Sequence, residues 1–295
     1  MNKKTMFKEF ENFFCGNTVA ISGATGGIGR ELCDYLASFG ASLVLLDRNF
    51  QKSTNLIKTL KEKYNNLSAK HVTVDLEDIK SVNKAVFELS SVGIDVLILN
   101  AGAYHIPRHK CKTGYDNVFQ INFVSPYFLA KKVLEGENEK PIKVIAVSSI
   151  AHNYSKINID DIDFAKAKKS SLVYGNAKRF LTFALQELYK GKANLSIVHP
   201  GITFTNITNH YPKLVFALIK HPMKVIFMKP RKAALSVLFG AVCQTKMDEW
   251  IGPSLFNVWG LPKKKSLKTC KGLEKKQIFT FAEKIYDECE KLVQI

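Results

Sequence analysis

Tyr174 and Lys178 stand four residues apart in Tyr174-Gly-Asn-Ala-Lys178. On a helix that spacing projects both side chains from one face, so they can address one ligand. A free phenol ionises near ~10 and is a poor base at neutral pH. A neighbouring ammonium favours the phenolate and brings it towards the working range. Such a tyrosine can pass a proton to or from an alcohol or carbonyl oxygen. Tyr-x-x-x-Lys pairs are common on solvated helices, so the meaning of this one depends on its company.

The company begins upstream with Ser22-Gly-Ala-Thr-Gly-Gly-Ile-Gly29. This stretch follows an apolar run and opens into a helical pattern. Glycines allow a tight turn and close backbone approach, and a helix N-terminus supplies unpaired N–H groups for a pyrophosphate. Gly23, Thr25, Gly27, Ile28 and Gly29 are therefore candidate dinucleotide contacts. The glycine spacing is degenerate, since Gly23/Gly27/Gly29 and Gly23/Gly26/Gly29 both read as phosphate loops. Asp47 and Arg48 close the second apolar run. The carboxylate suits ribose hydroxyls and repels a 2′-phosphate, whereas the guanidinium would receive that phosphate. The repulsion by Asp47 favours NAD over NADP. Asp75 is placed to accept from an adenine amino group. Asn100-Ala101-Gly102 ends the fourth run, at the edge where ligands of such sheets bind.

These residues need a frame, and the pattern supplies one. Strands are expected at Thr18–Ser22, Ser42–Asp47, His71–Val74, Asp95–Asn100, Lys143–Ser148 and Leu195–His199. Helices are expected at Ile28–Phe39, Gln51–Tyr64, Ile79–Ser90, Gly114–Leu134 and Leu172–Tyr189. Near-continuous Val/Ile/Leu strands alternating with helices predict an α/β fold with a doubly wound parallel sheet. We expect one domain over 1–295, with an N-terminal extension (1–16) and an apolar helical lid over the substrate (204–242). A further strand is expected at Trp250–Phe256. A basic connection carrying Lys263–Lys265 then leads to a terminal helix at Leu273–Leu292.

Composition narrows the class. The chain of 295 residues is 46% hydrophobic, enough for one large α/β domain. Its six cysteines are scattered without Cys-x-x-Cys, which argues for reduced thiols in a cytosol-like compartment and against zinc or a disulfide framework. No window is long and apolar enough to span a membrane, so the protein is expected to be cytoplasmic and soluble, or peripheral to a membrane. The formal charge of +17 comes from lysines spread along the whole chain. Without a recognition motif this reads as a solvated basic surface rather than a nucleic-acid site, one suited to an anionic membrane face.

Taken in order, these pieces resemble the short-chain dehydrogenase/reductase family over about Asn17 to Asn206. They look most like its retinol-dehydrogenase-like branch, through Val147-Ser-Ser-Ile-Ala-His152. The resemblance implies a Rossmann-type fold, an NAD(P) cofactor, no metal, and hydride transfer between nicotinamide and an alcohol or carbonyl. It also implies roles. Ser149 would hydrogen-bond the substrate oxygen and Tyr174 would act as general acid/base. Lys178 would hold the nicotinamide ribose, and Asn122 would support a water-linked proton relay to it. Pro200, Gly201 and Thr205 would seat the nicotinamide. Ser22 replaces the family's usual threonine, and Leu99 stands where a second asparagine is common. The segment after Thr205 is markedly apolar from Phe204 to Met228, with Lys213, Lys220 and Lys224 between. It reads as a lid over a lipophilic alcohol or carbonyl (a retinoid, steroid or long-chain aldehyde), as a membrane-resting surface, or as plain core or a homo-oligomer interface. His105 and His152 are candidate pocket residues. The alternatives are a non-catalytic NAD(P)-binding regulator on the same fold and a nucleotide-sugar epimerase.

Overall fold

The computed structural model describes residues 2–136, 140–153, 156–192, 194–203, 227–267 and 272–294. Eight strands form one sheet in the order β3-β2-β1-β4-β5-β6-β7-β8. They are β1 (Thr18–Ser22), β2 (Ser42–Asp47), β3 (Ala69–Thr73), β4 (Val96–Leu99), β5 (Lys143–Val147), β6 (Leu195–Val198), β7 (Glu249–Leu255) and β8 (Trp259–Ser266). Every neighbouring pair through β7 is parallel, and β8 returns antiparallel to β7. All four residues of β4 are buried, as a central parallel strand requires, whereas edge strand β3 has only Val72 buried.

The two-residue period of the strands divides the core between the two faces of the sheet. Ala20, Val44, Leu97, Leu99, Val144 and Ala146 face one layer, packed by α4 (Ile79–Val92), α6 (Ser125–Glu135), α7 (Ser170–Leu188) and α9 (Gly272–Val293). Val19, Ile21, Leu43, Leu45, Val96 and Ile98 face the other. That layer is packed by α1 (Lys3–Phe14), α2 (Gly27–Ser38), α3 (Phe50–Lys63) and α8 (Pro230–Val242). Before α6 lie a single turn, α5 (Asn117–Phe119), and a π-helical turn at Gln120–Val124.

Several expectations change. Within the N-terminal extension, residues 3–14 form a helix: Met6, Phe10 and Phe14 recur every four residues and are buried, Phe10 and Phe14 meeting Phe39 and Phe7 meeting Tyr35 at the α2 end. Each such side chain contributes about 1.5–3 kcal/mol by burial. Lys263–Lys265 do not lie in a connection but in β8, where exposed lysines protect the sheet edge from pairing with other chains. Of the segment expected as a lid, residues 204–226 lie outside the described residues, and 230–242 form α8 in the core. There Gly240 lets the helix approach β5 and β6, because a Cβ would meet Val198 Cγ2 at 2.8 Å. Among the described residues no helix is long and apolar enough to cross a membrane.

Candidate active site

The carboxyl ends of β1, β2 and β4 surround a cavity of about 510 Å³. Its floor is the glycine loop. A Cβ on Gly23 would lie 2.9 Å from Ala101 Cα, and one on Gly29 would lie 2.1 Å from Gly23 O, so neither position tolerates a side chain. Gly26 caps α2 with no side-chain bond, which leaves the first helical N–H groups to meet an anion. A loop this bare, ending at an uncapped helix, fits a pyrophosphate. The loop is stitched to β4 through Ser22, whose hydroxyl accepts from Asn100 N and Ala101 N, each at 3.0 Å. The Asn100 amide donates to Ser22 O (3.1 Å) and Gly23 O (3.2 Å). Asn100 thus holds the loop in place, and serine fills the position of the usual threonine without loss of the bonding hydroxyl.

Asp47 and Arg48 part company at the end of β2. The Asp47 carboxylate is only 7% exposed and accepts from Thr25 Oγ1 (3.0 Å), Thr25 N and Ser53 Oγ (3.2 Å). Burial raises its pKa, against the Thr25 and Ser53 hydrogen bonds. Arg48 stays exposed at the rim, within 3.6 Å of Glu77 and 3.9 Å of Asp75. Asp75 accepts from Glu77 N at 3.0 Å, a local turn that keeps both acids on the cavity wall. Lys52, Glu77, Tyr104, Ile106 and Ile121 also line this cavity, and sequence reasoning missed all five. Ser53 was missed too. Its only signal is a hydroxyl in the first turn of α3, facing back towards β2.

Further along the cavity, Gly102, Asn122 and Lys178 converge. A Cβ on Gly102 would lie 2.8 Å from Asn122 Oδ1 and 3.7 Å from Lys178 Nζ. Asn122 sits in the π-helical turn, fully buried, and donates to Ala103 O (2.7 Å) and Val118 O (2.8 Å). The extra residue of a π turn re-aims the backbone locally, a device frequent at functional sites. Lys178 is 3% exposed and donates to Val147 O at 2.9 Å. Desolvation pulls its pKa down to about 7.

Tyr174 shares that helix face, with the ammonium 5.8 Å from its ring centroid, and its ring meets Tyr104 edge-on at 5.3 Å. Ser149 lies just past β5, where its hydroxyl accepts from Ala151 N at 3.2 Å. The preceding Ser148 bonds Thr182 of α7 at 2.6 Å, tying the strand end to the Tyr174 helix. Tyr174, Lys178, Asn122 and Ser149 are therefore carried by three elements tied together beside Gly102 and Tyr104 of the cavity wall.

Pro200 and Gly201 follow β6. Gly201 has φ +93°, a left-handed backbone that favours glycine, and packs against Pro253. Thr205 lies outside the described residues. His152 does not line the pocket: it is fully buried between Phe183 and Trp250, with Nδ1 donating to Ser149 O at 2.7 Å. It supports the Ser149 turn from below. His105 is exposed, in a left-handed conformation. His199 stacks on Trp250, and burial lowers its pKa to about 4, so it is neutral.

The short chain dehydrogenase family pattern matches residues 17–213. Human polyprenol dehydrogenase is 25% identical over 239 residues, covering 75% of this chain and 71% of that protein. Mouse retinol dehydrogenase 12 is 30% identical over 202 residues, covering 66% of this chain and 64% of its own length. The WW domain-containing oxidoreductases of Pongo abelii and human are each 27% identical over 210 residues, covering 66% of this chain and 51% of those proteins. A crystal structure of an uncharacterised protein from Mycobacterium paratuberculosis superposes with a TM-score of 0.70 at 23% identity, over 95% of this chain and 94% of that one. The chain belongs to the short-chain dehydrogenase/reductase family of NAD(P)-dependent oxidoreductases.

Proposed function

We propose that this protein transfers a hydride between a nicotinamide dinucleotide and a lipophilic alcohol or carbonyl compound, with Tyr174 as the proton-transferring group. The observation that carries this reading is the convergence of Lys178 Nζ, Asn122 Oδ1 and Gly102 beside Tyr174, at one end of a glycine-floored cavity. The bound dinucleotide supplies the hydride. In the reduction direction Tyr174 and Ser149 donate to the developing oxyanion. In the oxidation direction Lys178 in its charged form stabilises the Tyr174 phenolate. Asn122 holds the Ala103 backbone and the π turn, keeping the floor beneath Lys178 fixed. Gly23, Thr25, Gly27, Ile28 and Gly29 take the pyrophosphate. Pro200 and Gly201 carry the chain past the nicotinamide end.

We assign NAD as the preferred cofactor. The rim where a 2′-phosphate would sit holds Asp47, Asp75 and Glu77 against Arg48 and Lys52. Arg48 is already within reach of two of those carboxylates. A phosphate there would enter a site that is net negative by one charge. The lipophilic substrate class rests on the apolar sequence of residues 204–228 and on the names of the retinol and polyprenol dehydrogenases that match. The lysines of that stretch suit contact with an anionic membrane face.

The test is to titrate NADH and NADPH by fluorescence and then screen lipophilic aldehydes, ketones and alcohols by nicotinamide absorbance. Tyr174→Phe is expected to bind NADH like the wild type and to lose about 10²-fold or more in turnover. Wild-type protein that binds the dinucleotide but turns over none of the panel, or a Tyr174→Phe variant as fast as the wild type, would sink the proposal.

A further inference from the structure

Beside the adenosine end of the cavity, one ligand atom each from Glu77, His109 and Cys111 lies within 4.8 Å of the others. We propose that these three residues bind a borderline divalent cation such as Zn²⁺, and that its occupancy shifts the cofactor preference of the cavity through Arg48.

The backbone presents the ligands. Lys110 pairs with Asp116 in an antiparallel bridge, flanked by Asn117 N to His109 O and Cys111 N to Tyr115 O, each 2.9 Å. In such an extended segment residues i and i+2 point to the same side, so His109 and Cys111 both face Glu77. Glu77 is fixed by its own N–H to the Asp75 carboxylate. Its Oε2 already meets His109 Nε2 at 2.9 Å. A tetrahedral zinc with bonds of about 2.0–2.3 Å needs its ligand atoms about 3.3–3.7 Å apart, so Glu77 and His109 must part slightly while Cys111 settles onto the same point. A thiolate, an imidazole and a carboxylate select zinc-like ions over Mg²⁺ or Ca²⁺. Three ligands leave one position for water, and the exposed His109 gives the ion an entry path.

On binding, the Cys111 thiol proton leaves to solvent and the Zn–S bond forms without any redox change. Asn117 Nδ2 lies 3.1 Å from His109 Nδ1, so in the metal-free protein the ring hydrogen is on Nε2, directed at Glu77. The metal takes that place, the hydrogen moves to Nδ1, and Asn117 gives up its bonds to Pro107 O (3.1 Å) and from His109 N (3.3 Å) to turn its amide oxygen to that hydrogen.

The consequence reaches the cavity because the other oxygen of Glu77, Oε1, is the nearer partner of Arg48, at 3.6 Å. A cation held by Glu77 removes that partner and adds net positive charge, two from the ion less one from the thiolate. Arg48 then becomes available to a 2′-phosphate. This second part rests on the dinucleotide reading of the cavity, whereas cation binding itself does not.

The experiment uses the full chain after chelator treatment. Zn²⁺ is titrated calorimetrically, and Co²⁺ is titrated with the thiolate-to-cobalt charge-transfer band as readout. We expect one equivalent bound with a thiolate band, and affinity weakened about tenfold or more in Cys111→Ser and in His109→Ala. NADH and NADPH affinities are then measured with and without Zn²⁺. The wild type is expected to shift several-fold towards NADPH, and Cys111→Ser not at all. Absence of the cobalt–thiolate band, or unchanged zinc affinity in Cys111→Ser, overturns the site. Zinc binding with no change in the NADPH:NADH ratio overturns the coupling to Arg48. Failure of both dinucleotides to bind counts against the cavity reading alone, since the metal titration is scored without them.

Discussion

Replacing Lys178 by methionine removes a buried charge while keeping most of the packing. Lys178 is 3% exposed, and burial lowers its pKa from 10.5 to about 7. The sign follows from linkage. The unfolded chain holds this proton up to its ordinary pKa, so the charged lysine opposes folding in full below the folded value. The opposition fades as pH rises towards the unfolded value. At about 1.4 kcal/mol per pH unit, it amounts to about 4–5 kcal/mol near pH ~6.5 and about 1–2 kcal/mol near pH ~9.5. Methionine carries no such charge but leaves Val147 O, now bonded at 2.9 Å, without its donor. An unpaired buried carbonyl costs about 1–3 kcal/mol. Lys178→Met is therefore expected to be more stable than the wild type by about 2–3 kcal/mol at the lower pH, and equal to it or weaker at the higher. The assay is urea unfolding of both proteins at the two pH values, followed by circular dichroism. The difference between them should swing by about 3 kcal/mol across that range. A swing below about 1 kcal/mol would refute the reasoning, because Lys178 would then keep its proton in the folded protein as readily as in the unfolded chain. The same variant should lose turnover, so that gained stability and lost activity appear together.

Three further outcomes are expected. Gly29→Ala places a Cβ 2.1 Å from Gly23 O, so NADH binding measured by fluorescence should weaken by at least about tenfold. Asp47→Asn removes the anion and, with a single acceptor oxygen, keeps only part of the Thr25 and Ser53 contacts. NADPH should gain on NADH by about tenfold in direct titration, and an unchanged ratio would remove Asp47 as the discriminating group. Glu274→Gln leaves Arg179, whose side chain is 9% exposed and bonded to Glu274 at 2.8 Å, without its countercharge. Thermal unfolding should show a loss of about 3 kcal/mol, with α9 the element that loosens.

Much of this site is legible along the chain because its signals are local. Strand runs, the glycine loop and the i,i+4 spacing of Tyr174 and Lys178 each report on a few consecutive residues. The observed β1 and β2 match the expected strands, and β4 to β7 differ from them by one residue at one or both ends. The misses have a common cause, namely contacts between residues distant in sequence. Residues 3–14 read as an extension until Tyr35 and Phe39 offer Phe7, Phe10 and Phe14 a surface. Pro230–Val242 reads as one piece with the apolar stretch before it, and only its packing against β5 and β6 makes it core. Lys263–Lys265 look like a connection because an exposed edge strand has no apolar alternation to display.

The sequence by itself determined the fold class, and it named the glycine loop and the groups we propose as reacting, because each depends on residue type and short-range periodicity. Tertiary structure alone decided what those groups experience. It turned Asp47 towards Thr25 and Ser53, left Arg48 between two carboxylates, and buried Lys178 deeply enough to bring its pKa near neutrality. It also set Glu77 against His109 and Cys111, where scattered cysteines had given no sign of a metal site. Charge, burial and ligand geometry are sums over neighbours from distant parts of the chain, and those neighbours exist only once the sheet has formed.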